Sequence, residues 1–174
     1  MTQTMQVQGI KETLRELNKI DKEARRQITK DFKKIGAPVV SEIKANIPRN
    51  PPLSGWGRTW TTNSGYEMLP WDGQKAAKYV DTKVSAKRPR EYRGVVRDLA
   101  VVAIRWRGAV NTMFDMSREA NSPQGSVMVD ALNDRFGNAS RLMYPSYEKH
   151  ADKVEREIKI QIDQVMRMVN KAVQ

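Results

Sequence analysis

Apolar residues recur at steps of three or four along the first quarter of this chain: Ile10, Leu14, Leu17, Ile20, Ala24, Ile28, Phe32, Ile35, Val39, Ile43 and Ile47. That spacing puts every member on one helical face, and the other faces carry Lys, Arg, Glu and Asp. The pattern predicts an edge strand at Met5–Ile10, with Gly9 as the joint, and a short helix over Ile10–Asn18. A long helix then follows, capped by Asp21 and closed near Asn46 ahead of Pro48. Pro38 lies inside it and removes one backbone donor, so a kink or a break into two helices is expected there. A stripe this long must be covered by something. With only 39% apolar residues in the chain, part of that cover is expected from copies of itself or other partners.

The pattern changes at Pro48. From Pro48 to Gln74 the chain is rich in Pro and Gly, shows no period, and holds Trp56, Trp60, Trp71 and Tyr66. Irregular segments of this length are normally functional or disordered, and disordered linkers avoid tryptophan. Such a segment is either a flap whose aromatics cover the chain's own core or an arm that docks on another subunit. Trp and Tyr dominate interface hot spots, so Trp56, Trp60, Tyr66 and Trp71 are the interface candidates.

Alternation begins at Tyr79, with Val80, Thr82 and Val84 on one side of a strand reaching Lys87. After a basic turn at Lys87–Arg93, the run Val95–Arg107 reads as the best strand. Gly108 offers a turn, and Ala109–Met116 reads as the returning strand, with Val110 and Phe114. A three- or four-stranded antiparallel sheet over 79–116 is the economical assembly. Ser126 or a neighbour caps a short helix that ends near Phe136, stopped by Gly137. The last helix opens near Pro145 and covers 145–172, with Tyr147, Ala151, Val154, Ile158, Ile162, Val165, Val169 and Val173 in its stripe. The expected fold class is α+β, one domain over 1–174: long N- and C-terminal amphipathic helices on a small antiparallel sheet, with an extended loop at 48–74.

Composition narrows the chemistry. There is no Cys, which removes disulfides, Cys-based zinc sites and thiol catalysis. MTQTMQVQG lacks the pattern of a signal peptide, and no apolar run approaches the ~20 residues of a membrane span. Synthesis in the cytoplasm and no membrane partner are expected. The single His150 has no metal-ligand cluster around it, and Asp130 and Asp134 read as a solvated i, i+4 pair. GWG at Gly55–Gly57 falls in the Pro-rich loop and makes no phosphate cradle. No catalytic residue, metal or cofactor is expected. A small enzyme using Asp130, Asp134 and His150 is the remotest alternative.

The net charge is +11, from 31 Lys and Arg against 20 Asp and Glu. Charge of this size favours polyanions: nucleic acid, anionic membrane or an acidic protein surface. Its densest part lies between Lys78 and Arg107, mixed with Tyr79, Tyr92 and Trp106. Lys83, Lys87, Arg88, Arg90 and Arg93 are the candidates to face DNA or an acidic surface. A freestanding nucleic-acid-binding protein is therefore one alternative function.

The stretch VQGIKETLRELNKIDKEARRQITKDFKKIGAPVVSEIKANIP resembles the opening of the tail-completion, or head–tail joining, proteins of long-tailed double-stranded DNA phages. Those proteins begin with a short strand, a Gly and a Leu-rich turn, then a long basic amphipathic helix ending in a pair like Ile47-Pro48. MFDMSREANS and VMVDALNDRFGNASRLMYPSYEKHADKVEREIKIQIDQVMRMVN resemble the C-terminal part of actinophage members. The shared features are a hairpin strand, a short helix ending in Phe-Gly, a Tyr/Trp-Pro start and a closing acidic-basic helix. About half of the chain is covered, and the Trp- and Pro-rich stretch departs from the family pattern. The resemblance implies a non-enzymatic α+β subunit of the virion neck, forming a homo-oligomeric ring, often a hexamer, around the DNA channel. Its partners would be a head connector or stopper protein and a tail terminator or tail tube protein, with non-specific contact to passing duplex DNA. A tail terminator ring protein is the neighbouring alternative.

Overall fold

The computed structural model describes residues 22–62, 64–68, 70–85, 90–92, 95–97 and 102–173. The expected strand at Met5–Ile10, helix at Ile10–Asn18 and cap at Asp21 lie outside them.

Helix α1 spans Lys22–Asn46. Its stripe is buried as the spacing dictates: Ile28, Phe32, Ile35, Val39 and Ile43 are all within 7% exposure, and so is Ile47 just past its end. Of the kink or break expected at Pro38, the break is not formed: the helix runs through it. The missing N–H takes the helical partner only from the Lys34 carbonyl, on an exposed turn open to solvent, while Ile35 and Val39 beside it are buried. Among the described members of the stripe, Val39 and Ile43 are wholly buried.

Chain order then gives a 3-10 turn at Ser54–Gly57, β1 (Trp60–Thr61), β2 (Glu67–Met68), α2 (Gly73–Lys78), β3 (Val80–Val84), β4 (Arg90–Tyr92), β5 (Val95–Arg97) and β6 (Val102–Trp106). The rest is helical: α3 (Ala109–Met116), α4 (Pro123–Phe136), α5 (Met143–Glu148) and α6 (Ala151–Val173). The fold class is α+β. The strands pair in three separate two-stranded ladders, β1 with β2, β3 with β6 and β4 with β5, among the described residues. The single three- or four-stranded sheet is not formed.

By compactness the chain divides into two units where one domain was expected. Unit 1 comprises Met1–Pro38, Thr82–Ile104 and Ala151–Gln174, and unit 2 comprises Val39–Asp81 and Arg105–His150. Among the described residues of unit 1 the buried ones are aliphatic apart from Phe32, Gly36, Ser85 and Gln161: Ile28 and Ile35 on α1, with Val154, Ile162 and Val165 on α6. Gly36 explains itself there. A Cβ at that position would stand 2.6 Å from Thr82 Oγ1 and 3.0 Å from Thr82 Cγ2, so the helix gives up propensity to let β3 approach. The β4–β5 pair is antiparallel, with Arg90 opposite Arg97 and Tyr92 opposite Val95.

In unit 2 the irregular stretch is tied down at long range. Trp71 Nε1 donates to the Pro48 carbonyl at 2.8 Å, and a Cβ on Gly73 would meet that same carbonyl at 2.5 Å. Only glycine lets the start of α2 sit so close. Asp72 caps α2 by accepting from the Lys75 N–H at 2.9 Å, and that bond holds the Asp72 carboxyl below its usual range.

Ala109–Met116 is a helix and not the returning strand. Gly108, at φ 112°, turns the chain. The Thr112 N–H and hydroxyl both bond to the Gly108 carbonyl, and Asn111 Nδ2 bonds to the Arg107 carbonyl. Val110, Met113 and Phe114 have helical spacing, which a short apolar run conceals. The basic turn at Lys87–Arg93 contains β4. The cap of α4 is Ser122, whose side chain accepts from the Gly125 N–H, with Pro123 in the first turn; Gly137 stops the helix as expected. The closing helix is two helices. The His150 N–H bonds to Tyr147, three residues back, and that tightened turn separates α5 from α6.

Candidate functional site

The tryptophans divide sharply. Trp56 and Trp71 are 5% and 7% exposed and stack inside unit 2. Their centroids lie 5.9 Å apart, Trp71 meets Phe114 at 5.3 Å, and Phe114 meets Trp106 at 5.9 Å and Phe136 at 5.1 Å. Phe114 is fully buried at the hub. Trp106 Nε1 finds the Ala76 carbonyl at 3.0 Å, so each buried indole with a described bond keeps its donor satisfied. Trp56 and Trp71 are thus removed from the interface candidates: their surface is already spent on this chain's own core.

Trp60 and Tyr66 behave differently. They sit on the β1–β2 hairpin, where Trp60 pairs with Met68 across the ladder. Trp60 is half-buried, and Tyr66, at 73%, is the most exposed large apolar residue described. The tip is ordered by its own bonds. Thr62 N–H donates to the Tyr66 carbonyl, Gly65 N–H to the Thr62 carbonyl, and Tyr66 N–H to Thr62 Oγ1 at 3.0 Å. Gly65 supplies the positive φ of 80° that the tip requires.

A second cluster joins the β3 and β6 ends of unit 2. Arg105 grips Asp81 with both Nε and Nη2 at 2.9 Å. Arg107 Nη2 adds a contact at 3.3 Å while its guanidinium lies 5.9 Å from the Tyr79 ring centroid. Both arginines are therefore engaged by the protein itself. Of the five basic candidates, Lys83 is half-buried on β3 and Arg90 lies in β4. Lys87, Arg88 and Arg93 lie outside the described residues.

Charge is distributed unequally between the units. Unit 1 holds 20 basic and 11 acidic residues, a net of +9. Unit 2 holds 11 basic and 9 acidic residues, a net of +2.

Arg141 is a buried hub that no sequence pattern marked. It is 5% exposed. Its Nη1 donates to the Phe114 carbonyl at 2.7 Å, and its Nη2 to the Ser117 carbonyl at 3.0 Å and to Asn133 Oδ1 at 2.7 Å. Burial pulls its pKa down and the neighbouring Asp115 charge opposes that. Asp115, 2% exposed, accepts from the Leu142 and Met143 N–H groups and so caps α5 from a distance. Ser140, the non-glycine residue at positive φ among those described, is held in place by its N–H bond to the Asp115 carbonyl. The arrangement welds α3, α4 and α5 together and is structural.

The residues weighed for catalysis do not converge. Asp130 and Asp134 are exposed on α4, and His150 sits in the α5–α6 turn. Among the described residues no group of three or more His, Cys, Asp or Glu could hold a metal ion. Nor is any described helix long and apolar enough to cross a membrane. Comparison with protein-family models, with curated proteins and with solved structures returns no match.

Proposed function

We propose that this chain is a structural subunit of a phage head–tail connector, completing the tail end and joining it to the head as a ring around the DNA channel. Its partners are copies of itself, a head connector or stopper protein, and a tail terminator or tail tube protein. The reading rests on the sequence resemblance. Within its segments, α1 closes before Ile47-Pro48, α4 stops at Phe136-Gly137, Pro145 lies in the first turn of α5, and α6 is the closing helix. MFDM departs from the implied hairpin strand, since it lies in α3.

One observation supports an assembly role directly. The β1–β2 hairpin presents an exposed tyrosine on a tip already ordered by its own hydrogen bonds. A preordered aromatic tip loses little conformational entropy on docking, and ring closure requires a head-to-tail contact between unlike surfaces. In this reading the hairpin supplies one side of that contact.

The test is complementation of a phage lacking this chain. Replacing Trp60 and Tyr66 by serine leaves Trp56 and Trp71 in the core. Folded protein is expected to accumulate while heads and tails remain separate under the electron microscope. Joined particles at the unaltered frequency would remove the hairpin from the contact. Absence of the chain from purified, complete particles would remove the connector role itself.

A further inference from the structure

The solvent face of α1 carries a strip of unneutralised positive charge. Arg26, Lys30 and Lys33 are all exposed and follow one another at i, i+4 and i+7, one above the next along a single helix face. At a rise of about 1.5 Å per residue they extend roughly 10 Å along the axis. None of the three makes an ion pair or hydrogen bond with a described residue. Lys34, next to them, is turned aside to Asp31 at 3.3 Å, as Arg105 and Arg107 are to Asp81. The strip lies in unit 1, which holds nearly all of the chain's net charge.

We infer that Arg26, Lys30 and Lys33 form a docking strip for the phosphate backbone of duplex DNA, without sequence preference. Charge complementarity supplies the attraction. The duplex carries about one phosphate charge per 1.7 Å of helix axis, so a line of three cations roughly 10 Å long lies against a dense row of negative charge. The chemistry of the face separates this occupant from others. A helix that binds a lipid surface buries its apolar side there, but the apolar side of α1 is already buried in the protein, with Ile28 and Phe32 at 2% and 1% exposure. Interfaces with proteins are depleted in Lys and enriched in aromatics, and this strip has two lysines and no aromatic. Single strands are held by stacking on aromatic rings, which the strip also lacks. The inference does not rest on the connector reading, since it concerns the free protein and DNA alone.

The experiment measures the affinity of the purified full chain for a short mixed-sequence duplex across a salt series. Each phosphate neutralised contributes about 0.9 to the slope of log affinity against log salt. The variant R26Q/K30Q/K33Q is expected to flatten that slope by about 2.7, equally for duplexes of different sequence. Glutamine matches lysine in helix propensity, and circular dichroism checks that α1 persists. The charge-preserving variant R26K/K30R/K33R should retain the full slope. Removing three exposed cations of unit 2 (R49Q/R58Q/K78Q) should leave it unchanged. An unaltered slope in the α1 variant overturns the proposal, as does an equal loss from both sets, which would mean diffuse attraction. Loss of binding to phosphatidylserine vesicles with DNA binding intact would assign the strip to a lipid surface instead.

Discussion

Unit 2 and unit 1 use their side chains in opposite ways. Unit 2 contains all four tryptophans, turns three of them inward around Phe114, and balances its charges almost completely. Three of its arginines serve as internal ties: Arg141 to α3 and α4, Arg105 to Asp81, and Arg135 to the Pro52 carbonyl at 3.1 Å. The described core of unit 1 is mainly aliphatic, and Arg26, Lys30 and Lys33 of that unit are exposed. The contrast teaches that an arginine or a tryptophan has no fixed meaning. In unit 2 Trp71 and Arg141 are scaffold, while Trp60 and Tyr66 keep exposed surface. In unit 1 Arg26, Lys30 and Lys33 stand exposed.

Truncating Phe114 to alanine should have the largest effect. A fully buried Phe→Ala change costs about 3–5 kcal/mol, and Phe114 also loses three ring partners, each worth about 0.5–1.5 kcal/mol. Phe32, at 1% exposure, has no ring partner among the described residues, so Phe32→Ala should cost less. Chemical denaturation of the two variants decides this, and equal costs would dissolve the contrast between the cores.

A smaller effect is expected at the contact between α1 and β3. Gly36→Ala would ordinarily gain about 1 kcal/mol in helix propensity. Because both branches of Thr82 crowd that site, the net result should be a loss of about 1–2 kcal/mol from overpacking. Thr82→Ala in the same chain should restore stability to the starting level or above. A single Gly36→Ala variant that is more stable than the parent would mean that β3 does not approach α1 so closely.

The smallest effect concerns pH. Hydrogen bonds from Lys149 and Asn46 to Glu42 hold its carboxyl below the usual range, helped by the Lys149 charge. A lowered folded value means that the contribution is complete above the unfolded carboxylate range and disappears as pH falls through the folded value. Glu42→Gln should therefore destabilise the protein slightly at neutral pH and not at all in acid. A difference that persists unchanged into acid would show that the interaction is not one of charge.

Legibility followed the range of the interactions. The stripe from Ile28 to Ile47 and the Phe136-Gly137 stop are local patterns, and both stand where the spacing puts them. The fate of Trp71 depends on a carbonyl twenty-three residues away, and that of Arg141 on groups from Phe114 to Asn133, which no local window contains. The α3 segment was misread because alanine, valine and phenylalanine in eight residues suit either period, and the deciding bonds come from Gly108 and Arg107. A stripe shows how much apolar surface must be covered, while Val39 and Ile43 are covered by residues the pattern does not name. Unneutralised charge at Arg26, Lys30 and Lys33 could be read only after the competing ion pairs were known.

The proposed connector role is tested most directly by electron cryomicroscopy of intact phage particles assembled with this chain. The expected density is a ring of identical copies at the head–tail junction, with the Tyr66 hairpin against a neighbouring copy and the α1 strip turned to the DNA channel. Complete particles in which this chain contributes no density at the neck would contradict it.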